Sequence, residues 1–179
     1  MNNKQYIIIS LACTILGILF FAFYQEIIII RHPNIPPYTS SMVVVKKEAK
    51  LIFWHNEKWH TETQDMIWHT TPGKNIHYLI NSWLTLLDAE NIIDKKITVQ
   101  PVLLTSAQHE AYISFDRNPF AKEASTFEKW MFIEGILRTL KENGIPIQQV
   151  QFLVHHAPLN DPHLDFSKAW PIQGFMPVS

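Results

Sequence analysis

Nine histidines are the residues of this chain that most readily suggest a chemical site. The densest group contains His155, His156, His163, Asp161 and Asp165. Imidazoles and carboxylates are ligands that zinc accepts. Neighbouring residues of a strand point to opposite faces, however, so only one of His155 and His156 could join His163 without a bend. We therefore expect these histidines to lie in solvated loops, and we expect no metal.

A second polar stretch carries His55, His60 and His69 together with Glu57 and Glu62. Their spacing does not follow the H-E-x-x-H pattern, which places two histidines on one face of a helix and a glutamate beside them. The stretch is therefore predicted to contribute surface residues rather than a metal centre.

Patterns for nucleophilic catalysis are missing from the sequence. There is no Gly-x-Ser-x-Gly segment, and the single cysteine, Cys13, lies in an apolar run near the N-terminus. With five glycines in all, no glycine-rich phosphate loop can be drawn. Paired acids such as Asp161 and Asp165 could act in acid–base chemistry, but nothing in the sequence places them in a cleft. We expect a protein that is not an enzyme and has no cofactor.

Six tryptophans are more informative. Trp83 and Trp130 fall on apolar stripes of predicted helices and are expected in the core. The other four lie at strand ends or in irregular stretches, where they either close the ends of the core, which we favour, or form an exposed patch for a protein or glycan. The candidate interaction surface comprises Trp59, Trp68, His155, His156 and Trp170.

The overall composition excludes several classes of protein. The chain has 179 residues, 47% of them apolar and 17% charged, which is too apolar for a disordered protein. Its formal net charge of −1 provides no basic field for a nucleic-acid backbone. One cysteine permits neither a disulfide framework nor a cysteine zinc site.

The N-terminal segment is predicted to cross a membrane. Residues 6–24 carry no charge and, as a helix, would span roughly 30 Å, with Tyr6 and Tyr24 at the two interfaces. A cleaved signal peptide is the alternative, and a lipoprotein modified at Cys13 is a weaker one. Because so short an N-terminus usually stays inside, we expect the lipid bilayer to hold residues 6–24 and the C-terminal domain to lie outside the cytoplasm.

The remaining chain is predicted to form one domain of alternating strands and helices. We assign residues 1–30 to the anchor, 31–42 to a proline-rich linker and 43–179 to the domain. Alternation predicts strands at 43–54, 96–105, 111–116 and 149–154, of which 96–105 and 111–116 should pair as a hairpin, and 66–69 could add a short strand. One helix runs from Pro72 to near 88–91, and a second starts at a capping box formed by Ser125 and Glu128, carries Leu137 on its apolar stripe and ends at Asn143-Gly144. The order β-α-β-β-α-β predicts an α+β fold in which two helices cover one face of a small mixed sheet.

Several short motifs, taken in order, resemble the GerMN domain, a family found on exported or membrane-anchored bacterial proteins. They are the strand Ala111-Tyr-Ile-Ser-Phe-Asp116, the strand Val150-Gln-Phe-Leu-Val154 and the closing segment His163-Leu-Asp-Phe-Ser-Lys168. The stretch 59–68 is also similar to the segment after the family's first strand. The resemblance covers about residues 50–172.

The sequence departs from the family pattern at its turns. The family often has Asp-Gly after the last strand, where this chain has His155-His156, and in the central hairpin, where it has residues 106–110. The resemblance implies a binding or assembly module of the cell envelope and supplies no catalytic residue.

Two functions of different classes remain as hypotheses. The first is a membrane-anchored, non-catalytic domain that docks onto another envelope protein or onto copies of itself, through a sheet edge or a helix face. The second is a cell-wall glycan-binding module that uses the tryptophans as stacking platforms.

Overall fold

A computed structural model describes residues 5, 14, 16, 21, 45–105 and 109–174. The chain divides into two compact units, Met1–Val43 and Val44–Ser179, and all of the elements below belong to the second. The predicted anchor at residues 6–24 lies outside the described residues except at three single positions, and the linker at 31–42 lies wholly outside them. Among the described residues, no helix is both long enough and apolar enough to span a membrane.

The domain begins with a long β-hairpin. Strands β1 (Val45–His55) and β2 (Lys58–Trp68) are antiparallel, and their pairing runs from Val45↔Trp68 to His55↔Lys58. The two turn residues, Asn56 and Glu57, have φ angles of 49° and 62°. A two-residue turn with both residues left-handed matches the natural twist of the strands it joins, which fixes the register.

Helix α1 (Pro72–Ala89) follows the hairpin, with Thr71 as its N-cap residue and proline in its first turn. The side chain of Asn75 holds the loop before the helix, because its Oδ1 accepts from the His69 N–H (2.7 Å) and its Nδ2 donates to the His69 carbonyl (2.8 Å). The predicted apolar stripe is buried: Ile76, Leu79, Ile80, Trp83, Leu84 and Leu87.

Helix α2 (Thr126–Glu142) is the element that the sequence predicts best. Ser125 and Glu128 form the predicted capping box, in which the Ser125 hydroxyl accepts from the Glu128 N–H and the Glu128 carboxylate accepts from the Ser125 N–H. Beyond the helix end, Gly144 has a φ of 69°, a conformation that glycine adopts without steric cost. The buried face includes Leu137, which is fully buried as predicted.

A second sheet contains the other strands in the order β3-β4-β5-β6. They are β3 (Leu103–Leu104), β4 (Glu110–Phe115), β5 (Gln149–Val154) and β6 (Ala157–Pro158), and a short β7 (Trp170–Pro171) also pairs with β5. β4 and β5 are parallel, with α2 in the crossover between them, and the predicted antiparallel pairing before β4 is confirmed.

The prediction of a single sheet was wrong, although the α+β class is confirmed. Among the described residues β1 pairs only with β2, so the strands form two sheets. The predicted element order also lacked β2, of which only the end near residue 66 was considered. Both helices and both sheets contribute to one apolar core, in which Phe115 and Phe152 stack with ring centroids 6.3 Å apart.

Candidate functional site

The outer edge of β1 is closed by helix side chains instead of a third strand. The Asn143 amide accepts from the Lys50 N–H (3.0 Å) and donates to the Lys50 carbonyl (2.7 Å). The Ile52 N–H donates to Thr139 Oγ1 (2.9 Å), and Trp83 Nε1 donates to the Ile52 carbonyl (2.7 Å). The backbone groups of Lys50 and Ile52 therefore point away from β2 and are satisfied by the two helices.

No strand in the described part of the chain pairs with the outer edge of β2, which we call the open edge. In an antiparallel pair, residues whose backbone groups point away from the partner strand lie opposite one another and recur at every second position. Lys50 and Ile52 lie opposite Thr63 and Thr61, so these threonines also direct their N–H and C=O groups outward. Across residues 45–105 and 109–174, β2 pairs with β1 alone. The residues that present this edge are Trp59, Thr61, Thr63, Asp65 and Ile67.

Charge and exposure along β2 limit what can pair with this edge. Residues 61–65 are exposed, and the strand carries Lys58, Glu62 and Asp65. Ile67, near the other end, is 52% exposed. Charged side chains on an edge strand oppose indiscriminate pairing. A partner strand at this edge must therefore match the polar pattern of β2.

An aromatic cluster marks the turn end of the hairpin. Trp54 packs edge-on against Trp59 (centroids 5.3 Å apart) and Phe127 (6.0 Å). Arg138 lies over the Trp59 ring at 4.2 Å, and its Nε donates to the buried Glu134 carboxylate (2.9 Å). Trp59 is thus held in place as a half-buried side chain.

A groove of about 890 Å³ adjoins this cluster, between the hairpin turn, residues 91–95 and residues 119–125. Apolar side chains form much of its lining, including Trp54, Phe120, Phe127 and Phe132. Charged side chains also line it, among them Lys129, which is bound to Asp161 at 2.6 Å. Its size is that of a small-molecule pocket, and no ion pair joins two of its described lining residues.

The other predicted tryptophans lie elsewhere. Trp68 is nine residues after Trp59 on the same strand, roughly 30 Å away, with the Lys47 amine 4.2 Å above its ring. Trp170 is 7% exposed and stacks on Phe166 with centroids 5.3 Å apart. Trp59, Trp68 and Trp170 therefore do not form one stacking platform.

His155 and His156 form the two-residue turn between β5 and β6. Their φ angles are 49° and 65°, and both side chains are exposed. Their backbone N–H groups donate to the Phe115 carbonyl (3.1 Å) and to Ser114 Oγ (2.9 Å), which ties the turn to β4. These histidines belong to the second sheet, whereas Trp59 and Trp68 belong to the first.

The acids near these histidines have structural partners. Burial raises the pKa of Asp161, but hydrogen bonds from Lys129 and from the backbone of His163 and Leu164 outweigh it and hold the pKa below its ordinary value. A hydrogen bond from the Ser167 hydroxyl, supported by its N–H, lowers the pKa of Asp165. In the described part of the chain, no three or more histidine, cysteine or acidic side chains are grouped as metal ligands would be.

Sequence reasoning missed the open edge of β2 because the strand itself was missed. Thr61 and Thr63 alternate with polar residues, and Thr favours strands, but residues 61–65 are polar on both faces. The signal that was available is the pair of threonines after a polar Asn56-Glu57 turn.

Comparison with known proteins gives structural likeness only. No protein-family model matches the chain, and no curated protein does. A candidate lipoprotein from Clostridium perfringens is 16% identical with a TM-score of 0.48, over 73% of this chain and 91% of that one. The tandem GerMN domains of the sporulation protein GerM from Bacillus subtilis are 16% identical with a TM-score of 0.42, over 64% of this chain and 41% of that one. The first of those domains alone is 15% identical with a TM-score of 0.40, over 64% of this chain and 86% of that one.

Two of these three structures are GerMN domains, the family whose motifs the sequence resembles. At 15–16% identity and TM-scores below 0.5, these likenesses assign no activity, ligand or partner to this chain.

Proposed function

We propose that this chain is a membrane-anchored, non-catalytic protein-interaction module of the bacterial cell envelope, and that it docks through the outer edge of β2. The open edge carries the proposal. It presents a row of backbone donors and acceptors along an 11-residue strand, which is the feature that strand addition requires.

The proposed location rests on the sequence. Residues 6–24 are long and apolar enough to anchor the chain in a membrane. The GerMN resemblance supports the same location, because members of that family are exported or membrane-anchored.

The contacts of the polar side chains favour binding over catalysis. Asp161 is bound to Lys129, Asp165 caps its own turn through Ser167, and Glu134 is bound to Arg138. Each of these acids stabilises the fold where it lies. The alternative of glycan binding has less support, since Trp59 and Trp68 lie at opposite ends of β2 and Trp170 is buried.

Site-specific photo-crosslinking in cells tests the proposed docking edge. A photoreactive amino acid at Thr61 of the full chain should capture a protein, whereas the same probe at exposed Lys141 on α2 should not. Thr63→Pro should abolish capture, because it removes an outward N–H and leaves the pairing with β1 intact. Equal capture from both probes, or capture unchanged by Thr63→Pro in a normally folded protein, would refute docking at this edge.

Protease treatment of intact cells tests the location. An extracytoplasmic domain should be cleaved when protease is added to cells whose outer layers have been permeabilised, while a cytosolic marker protein remains whole. Cleavage of the domain only after lysis would place it in the cytosol and contradict the envelope role.

A further inference from the structure

The chemistry of the open β2 edge is self-complementary. Five residues present backbone groups outward, and Thr63 is the middle one. A two-fold axis beside Thr63 would place this residue opposite Thr63 of a second copy. Every other outward residue of one strand would then lie opposite an outward residue of the other, so each pair could exchange two hydrogen bonds.

We propose that a second copy of this chain occupies this edge, with the two β2 strands antiparallel and Thr63 on the two-fold axis. The result is a four-stranded sheet, β1-β2-β2-β1, with about ten hydrogen bonds between the copies. This inference rests on the proposed docking function and names the partner. Because α1 and α2 close the opposite edge of the hairpin, at β1, they leave the β2 edge accessible.

Side chains on one face of the sheet match in this register. Trp59 lies opposite Ile67 of the second copy, which is an aromatic–β-branched pair. Thr61 lies opposite Asp65, which can accept a hydrogen bond from the threonine hydroxyl. Thr63 lies opposite Thr63, the threonine pair that is favoured across strands. Ile67, which is 52% exposed in the single chain, gains an aromatic neighbour.

The other face matches as well. Lys58 lies opposite Trp68 of the second copy, whose ring already has the Lys47 amine 4.2 Å from its centre, so this pair adds little to the interface. His60 lies opposite Met66, and Glu62 lies opposite Gln64, whose amide can donate to the carboxylate. No like charges face one another. All residues from Lys58 to Trp68 are paired, so this register uses the whole strand.

Neighbouring registers are poorer. In an antiparallel pair, the outward backbone groups of the two copies face each other again only when one strand slides by two residues along the other. A shift in one direction places Glu62 directly opposite Glu62 of the second copy, and like charges at that position are destabilising. A shift in the other direction faces Glu62 with Met66 and leaves Lys58 and Trp59 beyond the end of the partner strand. The pattern of β2 therefore favours the proposed register over its two neighbours.

Disulfide trapping tests the proposed two-fold axis in the full chain, with Cys13→Ser as background so that the introduced thiol is the only one. In the proposed dimer the two Cα atoms of residue 63 would be about 5.5 Å apart, within the range that a disulfide spans. The two Cα atoms of residue 61 would be displaced by four residues, roughly 13 Å. After mild oxidation of membranes, Thr63→Cys should give about ten times more disulfide-linked dimer than the matched control Thr61→Cys.

Charge changes at Gln64 test the register without disturbing the fold, because this side chain is exposed. In the Thr63→Cys background, Gln64→Lys would place a lysine opposite Glu62 of the second copy and should increase the dimer yield. Gln64→Glu would place two acids opposite each other and should decrease it. Equal effects of the two variants would overturn the proposed register.

The outcomes separate this inference from the function on which it rests. Similar dimer yields from Thr63→Cys and Thr61→Cys, or none from either, would overturn the second copy as the partner. If the photoreactive probe at Thr61 still captures a different protein, docking at the β2 edge stands and its partner is another envelope protein. If that probe captures nothing specific, both proposals fail.

Discussion

Asn143→Ala should be one of the most destabilising polar substitutions in the domain. The Asn143 side chain is buried, and its amide satisfies both backbone groups of Lys50 at the outer edge of β1. In the variant, the alanine methyl group replaces the amide and leaves the Lys50 N–H and C=O without these partners. An unsatisfied buried polar group costs about 1–3 kcal/mol, so with two such groups, partly reached by water, we expect a loss of about 2–4 kcal/mol.

Urea unfolding of the full chain in mild detergent, followed by tryptophan fluorescence, measures this loss. With a slope near 2 kcal/mol per molar urea, the midpoint should fall by about 1–2 M. Asn160→Ala is the matched control, because Asn160 is exposed in a loop, and its free energy of unfolding should change by no more than about 0.5 kcal/mol. Equal midpoints for the two variants would mean that Asn143 does not close the edge of β1.

Three further predictions concern the core and the buried ion pair. Gly135→Ala should destabilise the fold by about 1–3 kcal/mol although alanine favours helices, because a Cβ would lie 2.9 Å from Cζ2 of the Trp83 ring; a melting temperature at or above the wild-type value would contradict this. Phe152→Ala should lower the free energy of unfolding by about 3–5 kcal/mol, since the ring is fully buried. A near-wild-type urea midpoint would mean that Phe152 does not point into the core. The pKa of Asp161 is lowered on folding, so its stabilisation is present above its ordinary value of 3.8 and is lost as the pH falls through the folded-state value. Asp161→Asn leaves Lys129 without its carboxylate, so the variant should be less stable than the wild type at pH 7 and should lose less stability between pH 7 and pH 3. Urea midpoints measured across this range test it, and parallel curves for the two proteins would contradict the role of Asp161.

Local signals in the sequence predicted the elements that local chemistry determines. The capping box at Ser125 and Glu128 marked the start of α2, and the alternation of Val150 and Phe152 marked β5. The prediction that the apolar stripe of α1 is buried was also confirmed. These signals involve residues within a few positions of one another, so one sequence contains all the information that they need.

Long-range contacts could not be predicted in this way. Asn143 closes the edge of β1 from 93 positions away, and no feature of residues 50–52 indicates that a side chain takes the place of a strand. Because side chains take the place of a partner strand at this edge, two sheets form where the sequence predicted one. β2 was missed because its polar residues 61–65 are exposed on both faces and lack apolar alternation. Its candidate role as a docking edge follows only once its pairing with β1 is known.

The pairing of β5 has a consequence for biosynthesis. On the side away from β4, this strand is covered at one end by β6 and at the other by β7, and the Ile172 N–H donates to the Gln148 carbonyl (2.8 Å). The second sheet therefore cannot be completed until residue 172 has left the ribosome. Since domains generally fold as units during translation, most of the nascent domain should remain loosely folded until then, a state in which a polypeptide can still be threaded through a translocation channel.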